Sequence, residues 1–198
     1  MIKIPEKEGR LSAAKAAHIE AVIAFVKRKT EGYRRDLFAN ISRVMLVSGT
    51  FEDMSAMDDW SWLSDFILAD VKTLKQMIGR PELLQFDEFK RMYSDYFSAG
   101  SDKYVDASTK YNAYMFIENL GVTICPYCDE EYLDVVENGN GGKLRTLEID
   151  HFFPKGKYPA LAMCFYNLVP SGQNCNGMKR EERLGMNPYD CLLYTSDA

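Results

Sequence analysis

Cys125-Pro126-Tyr127-Cys128 sets two thiols two residues apart, so that one tight turn can aim both sulfurs at a single metal ion or at each other. The pair fits a redox dithiol and half of a zinc knuckle alike, and by itself decides neither. Further along come Asp150-His151, Asn167, Cys175-Asn176 and Lys179, in that order. A neutral imidazole titrates near physiological pH and can act as a general base. A hard cation such as Mg²⁺ takes oxygen ligands and keeps several sites for water and phosphate, so one carboxylate and one amide oxygen suffice to hold it.

Composition narrows the setting. The 198 residues are 46 % hydrophobic and 27 % charged, ordinary globular usage that sets disorder aside. The longest apolar runs, such as AVIAFV at 21–26, fall far short of a membrane span, and MIKIPEKEGR lacks the apolar centre of a signal peptide. The expectation is a cytoplasmic protein with no membrane partner. All five cysteines fall from Cys125 onward, an odd and local set that favours a metal or catalytic site over a disulfide framework. A net charge of −5 opposes a nucleic-acid partner, yet between 143 and 183 seven basic residues outnumber four acidic ones, which leaves room for a basic face.

The elements that must position these residues divide at about 120. Before it, apolar residues recur at helical spacing: Ala14, Ala17, Ala21, Val22, Phe25 and Val26, then Tyr33, Leu37, Ile41, Val44 and Met45. A third helix is predicted from about Asp58 to Ile78, stopping at Gly79, and Phe86, Phe89, Tyr93 and Phe97 mark a fourth. A fifth starts after Asp106 and ends at Leu120-Gly121, where glycine supplies a left-handed C-terminal turn. Beyond Gly121 the pattern changes. YLDVV (132–136) and LRTLEI (144–149) alternate as strands do, with the turn-forming ENGNGG between them, and a helix is predicted from Asn174 to about Leu184.

The order CxxC, EIDHFFPK, NLVPS, CNGMK resembles the HNH endonuclease family with its ββα-metal fold, over about residues 120–184. The resemblance implies an α+β chain with a helical bundle region at 1–120 and a nuclease domain at 121–187. It further implies hydrolysis of a nucleic-acid phosphodiester, DNA foremost, with Asp150 and Asn176 holding Mg²⁺ or Mn²⁺ and His151 activating water. Such a reaction needs a base for the water and a cation for the charge growing on the phosphorane. Asn167 would hold the loop after His151 and orient the imidazole, and Lys179, one turn after Asn176, would meet a phosphate. Asp150 and His151 are adjacent, so a regular strand would point them to opposite faces, and Phe152-Phe153-Pro154 suits a strand that breaks there. By analogy the family also implies a role in defence against phage or plasmids beside an ATPase partner. One active site cuts one strand per encounter, so a double-strand break requires a dimer or a second visit.

The zinc site departs from the family pattern, in which a second CxxC supplies two more thiolates. Cys175 is present, but Gly172 stands at its partner position, leaving Cys125, Cys128 and Cys175. Structural zinc prefers four protein ligands. The fourth is open among Cys164, water and a residue beyond the tail, as is a branch of the family without zinc. Two rival readings stay in view: a zinc-knuckle binding module that has lost cleavage, and a CPYC dithiol oxidoreductase of the glutaredoxin kind, although glutaredoxins carry that motif near their own N-terminus, ahead of a helix. His18 reads as a surface or hydrogen-bonded core residue of an alanine-rich helix, Trp60 and Trp62 as core, and Cys164 as a small buried hydrophobe. Lys155 and Lys157 suit solvated charges and phosphate contacts alike. The tail CLLYTSDA resembles the translation of a sequencing adapter, so 188–198 is set apart as appended sequence expected to pack poorly, and Cys191 is given no role.

Overall fold

The computed structural model describes residues 4, 9–47, 59–80, 87–99, 103–137, 143–180 and 185–190, and these form an α+β fold. Helix α1, Arg10–Lys27, buries Leu11, Ala14, His18, Ala21, Val22, Phe25 and Val26, the stripe expected of a 3.6-residue repeat. Helix α2, Glu31–Val47, follows, with Leu37 and Ile41 buried.

The third predicted helix is two. Its apolar repeat runs unbroken, but α3, Ser61–Ile67, ends before Asp70, and α4, Val71–Met77, begins after it. Asp70 is extended, and its carboxylate accepts the Thr73 N–H at 2.7 Å, so a strong N-cap restarts the helix. Helix α5, Glu88–Met92, widens into a π-helical turn over Tyr93–Phe97. Phe86, given above as its first apolar residue, lies outside the described residues. Helix α6, Ala113–Leu120, starts later than predicted because Asn112 caps it, accepting from the N–H groups of Tyr114 and Met115. Asp106 instead holds a turn, taking hydrogen bonds from Ser108, Thr109 and Arg28. At the other end Gly121 adopts φ 61°, the left-handed C-terminal turn its sequence position suggested.

The strands are arranged differently from the predicted single hairpin. Strands β1, Val135–Glu137, and β2, Lys143–Arg145, pair antiparallel as one short ribbon. The predicted strand 144–149 breaks at Thr146, whose hydroxyl accepts the Asp134 N–H and whose N–H donates to the Asp134 carbonyl. Strand β3, Leu147–His151, then pairs with an unpredicted strand β4, Leu168–Gly172, with Asp150 opposite Val169 and His151 opposite Leu168. Strand β4 is LVPSG, buried at every position, so it lacks the alternation that marks a half-exposed strand. Helix α7, Gln173–Lys179, follows β4 without a linker and packs on both strands. It is shorter than predicted, and 181–184 lie outside the described residues.

One hydrophobic cluster runs from α1 to β4, so the two regions distinguished in the sequence share a core. Phe66, Phe89, Phe97, Phe116, Phe152, Phe153 and Phe165 are fully buried, each stabilising by roughly 1.5–3 kcal/mol through burial alone. The segment expected to be loose from residue 188 is held in part: the Pro188 carbonyl accepts the Ile4 N–H, and the Tyr189 hydroxyl donates to the Leu168 carbonyl. Residues 191–198 lie outside the described residues.

His18 joins α1 to the short 3-10 turn Pro159–Met163. A carbonyl only accepts, so the 2.8 Å contact to the Met163 oxygen places the proton on Nε2, and Nδ1 accepts from the Tyr111 hydroxyl at 2.9 Å. Burial lowers its pKa from 6.5 to about 4, against the carbonyl's opposing pull. The folded state thus binds this proton less readily than the unfolded chain. Stability contributed by neutral His18 is complete above about pH 6.5 and is lost at about 1.4 kcal/mol per pH unit as pH falls from there toward 4. Urea unfolding at pH 7.5, 6, 5 and 4.5 should show a slope shallower by about one proton in His18→Gln than in wild type.

Candidate functional site

The turn that carries the CPYC motif is built from backbone bonds. The Cys125 N–H donates to the Glu131 carbonyl at 2.8 Å, the Cys125 carbonyl accepts the Asp129 N–H at 2.9 Å, and Ile124 bridges to Tyr132. Asp129 takes φ 63°, which closes the turn. Cys175 projects from the first turn of α7, and the sulfurs of Cys125, Cys128 and Cys175 all lie within 4.8 Å of one another. Three thiols gathered from two distant segments form a cluster that could hold a metal ion and is compatible with structural zinc. The backbone N–H of Glu131 holds the Cys128 thiol below its ordinary range, and the Gly172 N–H donates to the Cys125 sulfur at 3.3 Å. Cys164, offered above as a fourth ligand, lies elsewhere. It is fully buried, contacts the Phe66 carbonyl at 3.5 Å, and burial pushes its thiol well up.

Beside this centre, Asp150 and His151 occupy the last two positions of β3, and the strand ends after His151 rather than breaking between them. They face opposite sides, as a regular strand requires. Both nevertheless line one open pocket of about 370 Å³, together with Asn176, Lys90, Lys155 and Arg180.

His151 is buried, its ring edge-to-face with Tyr93 at 4.3 Å. Its Nε2 lies 3.1 Å from the Ala162 carbonyl, so Nε2 carries the proton and Nδ1 keeps its lone pair. Burial foremost, and the Lys155 charge next, lower its pKa from 6.5 to about 3. The imidazole is therefore neutral at physiological pH.

Asp150 is held on two sides. Tyr127, from the middle of CPYC, donates to one carboxylate oxygen at 2.6 Å, and Lys179 donates to the other at 3.0 Å. Burial pushes the Asp150 carboxyl up, and Lys179 and Tyr127 pull it back in part. Lys179 differs from its predicted role at a phosphate. Its side chain is 1 % exposed, and it also donates to the His151 carbonyl at 2.9 Å, so it fastens the end of α7 to the end of β3. Asn176 donates its amide nitrogen to the Glu148 carboxylate. Because a carboxylate only accepts, this bond fixes which side of the amide is nitrogen and leaves the amide oxygen available.

Asn167 holds the loop, and none of its side-chain hydrogen bonds goes to His151. It accepts the Phe153 N–H at 2.6 Å and donates to the carbonyls of Phe153 and Leu161 at 3.2 and 2.9 Å. It acts through the loop as a positioning residue, not at the pocket. Sequence reading missed four contributors: Lys90, Tyr127, Glu148 and Arg180. Glu148 was accessible to it, since it stands two residues before Asp150 on one strand and so shares its face. Lys90 was not, because it belongs to α5, more than fifty positions away.

No protein-family model matches the chain, and no curated protein or solved structure matches it either.

Removing one partner of a buried ion pair strands the other charge. Lys179→Met should cost about 3–5 kcal/mol in urea unfolding, and adding Asp150→Asn should recover part of that loss.

Proposed function

We propose that this chain is a metal-dependent endonuclease of the HNH, ββα-metal type, hydrolysing nucleic-acid phosphodiester bonds, DNA foremost. One observation carries the reading: Asp150, His151 and Asn176, from the end of β3 and the start of α7, line a single pocket with three cationic side chains. The unit β3, β4, α7 supports the ββα assignment, as does the sequence order that resembles this family.

The donors fit a hard cation. Each Asp150 oxygen spends one lone pair on Tyr127 or Lys179 and keeps another, and Asn176 offers its amide oxygen. These two oxygens, from different elements, would hold Mg²⁺ or Mn²⁺, which when bound neutralises charge developing on the phosphate and its leaving oxygen. His151 takes the proton of the attacking water at Nδ1, its ring fixed by the Ala162 carbonyl. Lys90, Lys155 and Arg180 attract the phosphodiester, and its negative charge opposes that of Lys155, strengthening His151 as a base. The cysteine centre would hold a structural zinc that ties CPYC to α7. A cytoplasmic role in defence against phage or plasmids, beside an ATPase partner, is the wider setting that fits such a nuclease.

The dithiol oxidoreductase reading draws less support. Cys125 is fully buried, CPYC opens into a turn instead of a helix, and a third sulfur shares the site. The experiment is plasmid cleavage by wild type and His151→Ala with Mg²⁺, with Mn²⁺ and with EDTA. Nicked or linear product should require the metal, and its rate should fall about 10²–10⁴-fold in the variant. Equal cleavage by both proteins, or cleavage in EDTA, would sink the assignment.

A further inference from the structure

Gly172 occupies the position at which a second CxxC would place its first cysteine. Its backbone, φ −66° and ψ 150°, is one any residue adopts, so no conformational demand explains glycine there. Space does. A Cβ built on residue 172 would stand about one covalent-bond length from a carboxylate oxygen of Glu131, with the second oxygen at 2.7 Å. The Glu131 carboxylate thus fills the volume that a cysteine side chain at this position would take.

Glu131 is also fixed to the cysteine turn. Its carbonyl accepts the Cys125 N–H, and its N–H donates to the Cys128 sulfur. Its side chain emerges beside Gly172, whose own N–H meets the Cys125 sulfur. Among the described residues no hydrogen bond or ion pair reaches this carboxylate, which lies against Gly172 just ahead of α7.

The geometry points to Glu131 as the fourth ligand of the zinc centre, in a Cys₃Glu site where the carboxylate replaces the missing thiolate. This rests on the zinc reading of the cysteine trio. A carboxylate oxygen binds zinc at distances of about 2.0–2.2 Å and carries the same charge as a thiolate, so the exchange preserves the charge balance of a four-thiolate site. The carboxylate stands outside the trio whose sulfurs lie within 4.8 Å of one another, so the proposal requires its side chain to turn toward the ion on binding. The pairing explains two sequence features together: a glycine where the pattern calls for cysteine, and a glutamate three residues after Cys128. A tetrahedral ion with three thiolates and one oxygen also differs from a four-thiolate site in its spectrum, which makes the assignment measurable without any reference to catalysis.

The test uses the full chain, with zinc content, Zn²⁺ affinity by competition against a chromophoric chelator, and the visible and near-ultraviolet spectrum of the Co²⁺ form. Wild type should bind one zinc, and its Co²⁺ form should be tetrahedral with the sulfur-to-cobalt charge-transfer intensity of three thiolates. Glu131→Ala should lose at least about ten-fold in affinity. Adding Gly172→Cys to that variant should restore the affinity and raise the charge-transfer intensity to that of four thiolates. Unchanged affinity in Glu131→Ala overturns the proposal, as does wild-type protein that takes up neither metal. Should Glu131→Ala not fold, the wild-type Co²⁺ spectrum and the double variant still decide. Glu131 does not line the catalytic pocket, so a negative result here stays separable from the plasmid-cleavage result.

Discussion

The register of β3 against β4 is the constraint on which the site depends. Helix α7 begins at the residue after β4, with no linker to absorb an error. Pairing Leu147 with Gly172 and His151 with Leu168 therefore fixes where Cys175, Asn176 and Lys179 land against β3. Asn176 meets Glu148, Lys179 meets Asp150, and Cys175 meets the CPYC turn. A slip of one residue would turn every β3 side chain to the other face and separate Asn176 from Glu148 and Lys179 from Asp150 at once. The buried pair of Asp150 and Lys179 reports on that register, since a slip would leave each charge without its opposite in the interior.

A second constraint connects the helical half to the chemistry. In the 3-10 turn Pro159–Met163, three successive carbonyls are each taken by a buried side chain from a different element. Leu161 accepts from Asn167, Ala162 from His151 and Met163 from His18. The turn acts as a rail with β3, the end of the loop and α1 all fastened to it. His18 has no place in the pocket, yet it holds the carbonyl next to the one that sets the tautomer of His151. This gives the helices a structural part in the site whatever else they bind, and α5 contributes directly through Lys90.

The sequence made helix types and many of their ends legible, because apolar spacing and glycine or asparagine chemistry are local. Gly121 and the stripe of α1 follow from such signals. What failed was also local in cause. Asp70 splits a continuous apolar repeat through one capping bond, and a repeat cannot register a cap inside itself. Strand β4 is buried on both faces and contains Pro170, so it carries neither alternation nor usual strand composition. The site residues Asp150, His151, Asn176 and the three cysteines were found because their order resembles a family, and the structure brings them into two adjoining clusters. Their partners were harder to see. Tyr127 hides between the two cysteines it was read with, and Lys179 looks like a surface lysine until its burial is known.

A chain of net −5 can still gather cationic side chains at one pocket. The pocket concentrates Lys90, Lys155 and Arg180 at its lining, while Asp150 is partly neutralised from within by Lys179. Under the proposed function, that internal neutralisation would weaken metal binding. A carboxylate already paired with an ammonium and a phenol offers a cation less attraction than a free one, so a single divalent ion held by Asp150 and Asn176 alone would bind weakly. A substrate phosphate would supply the missing negative ligand. On the proposed nuclease reading, metal and nucleic acid would assemble in the pocket together, each raising the affinity of the other, and the same phosphate would offset the Lys155 charge that depresses His151. Under the proposed function, such a pocket would hold its base weak and its metal loosely until a phosphodiester is in place.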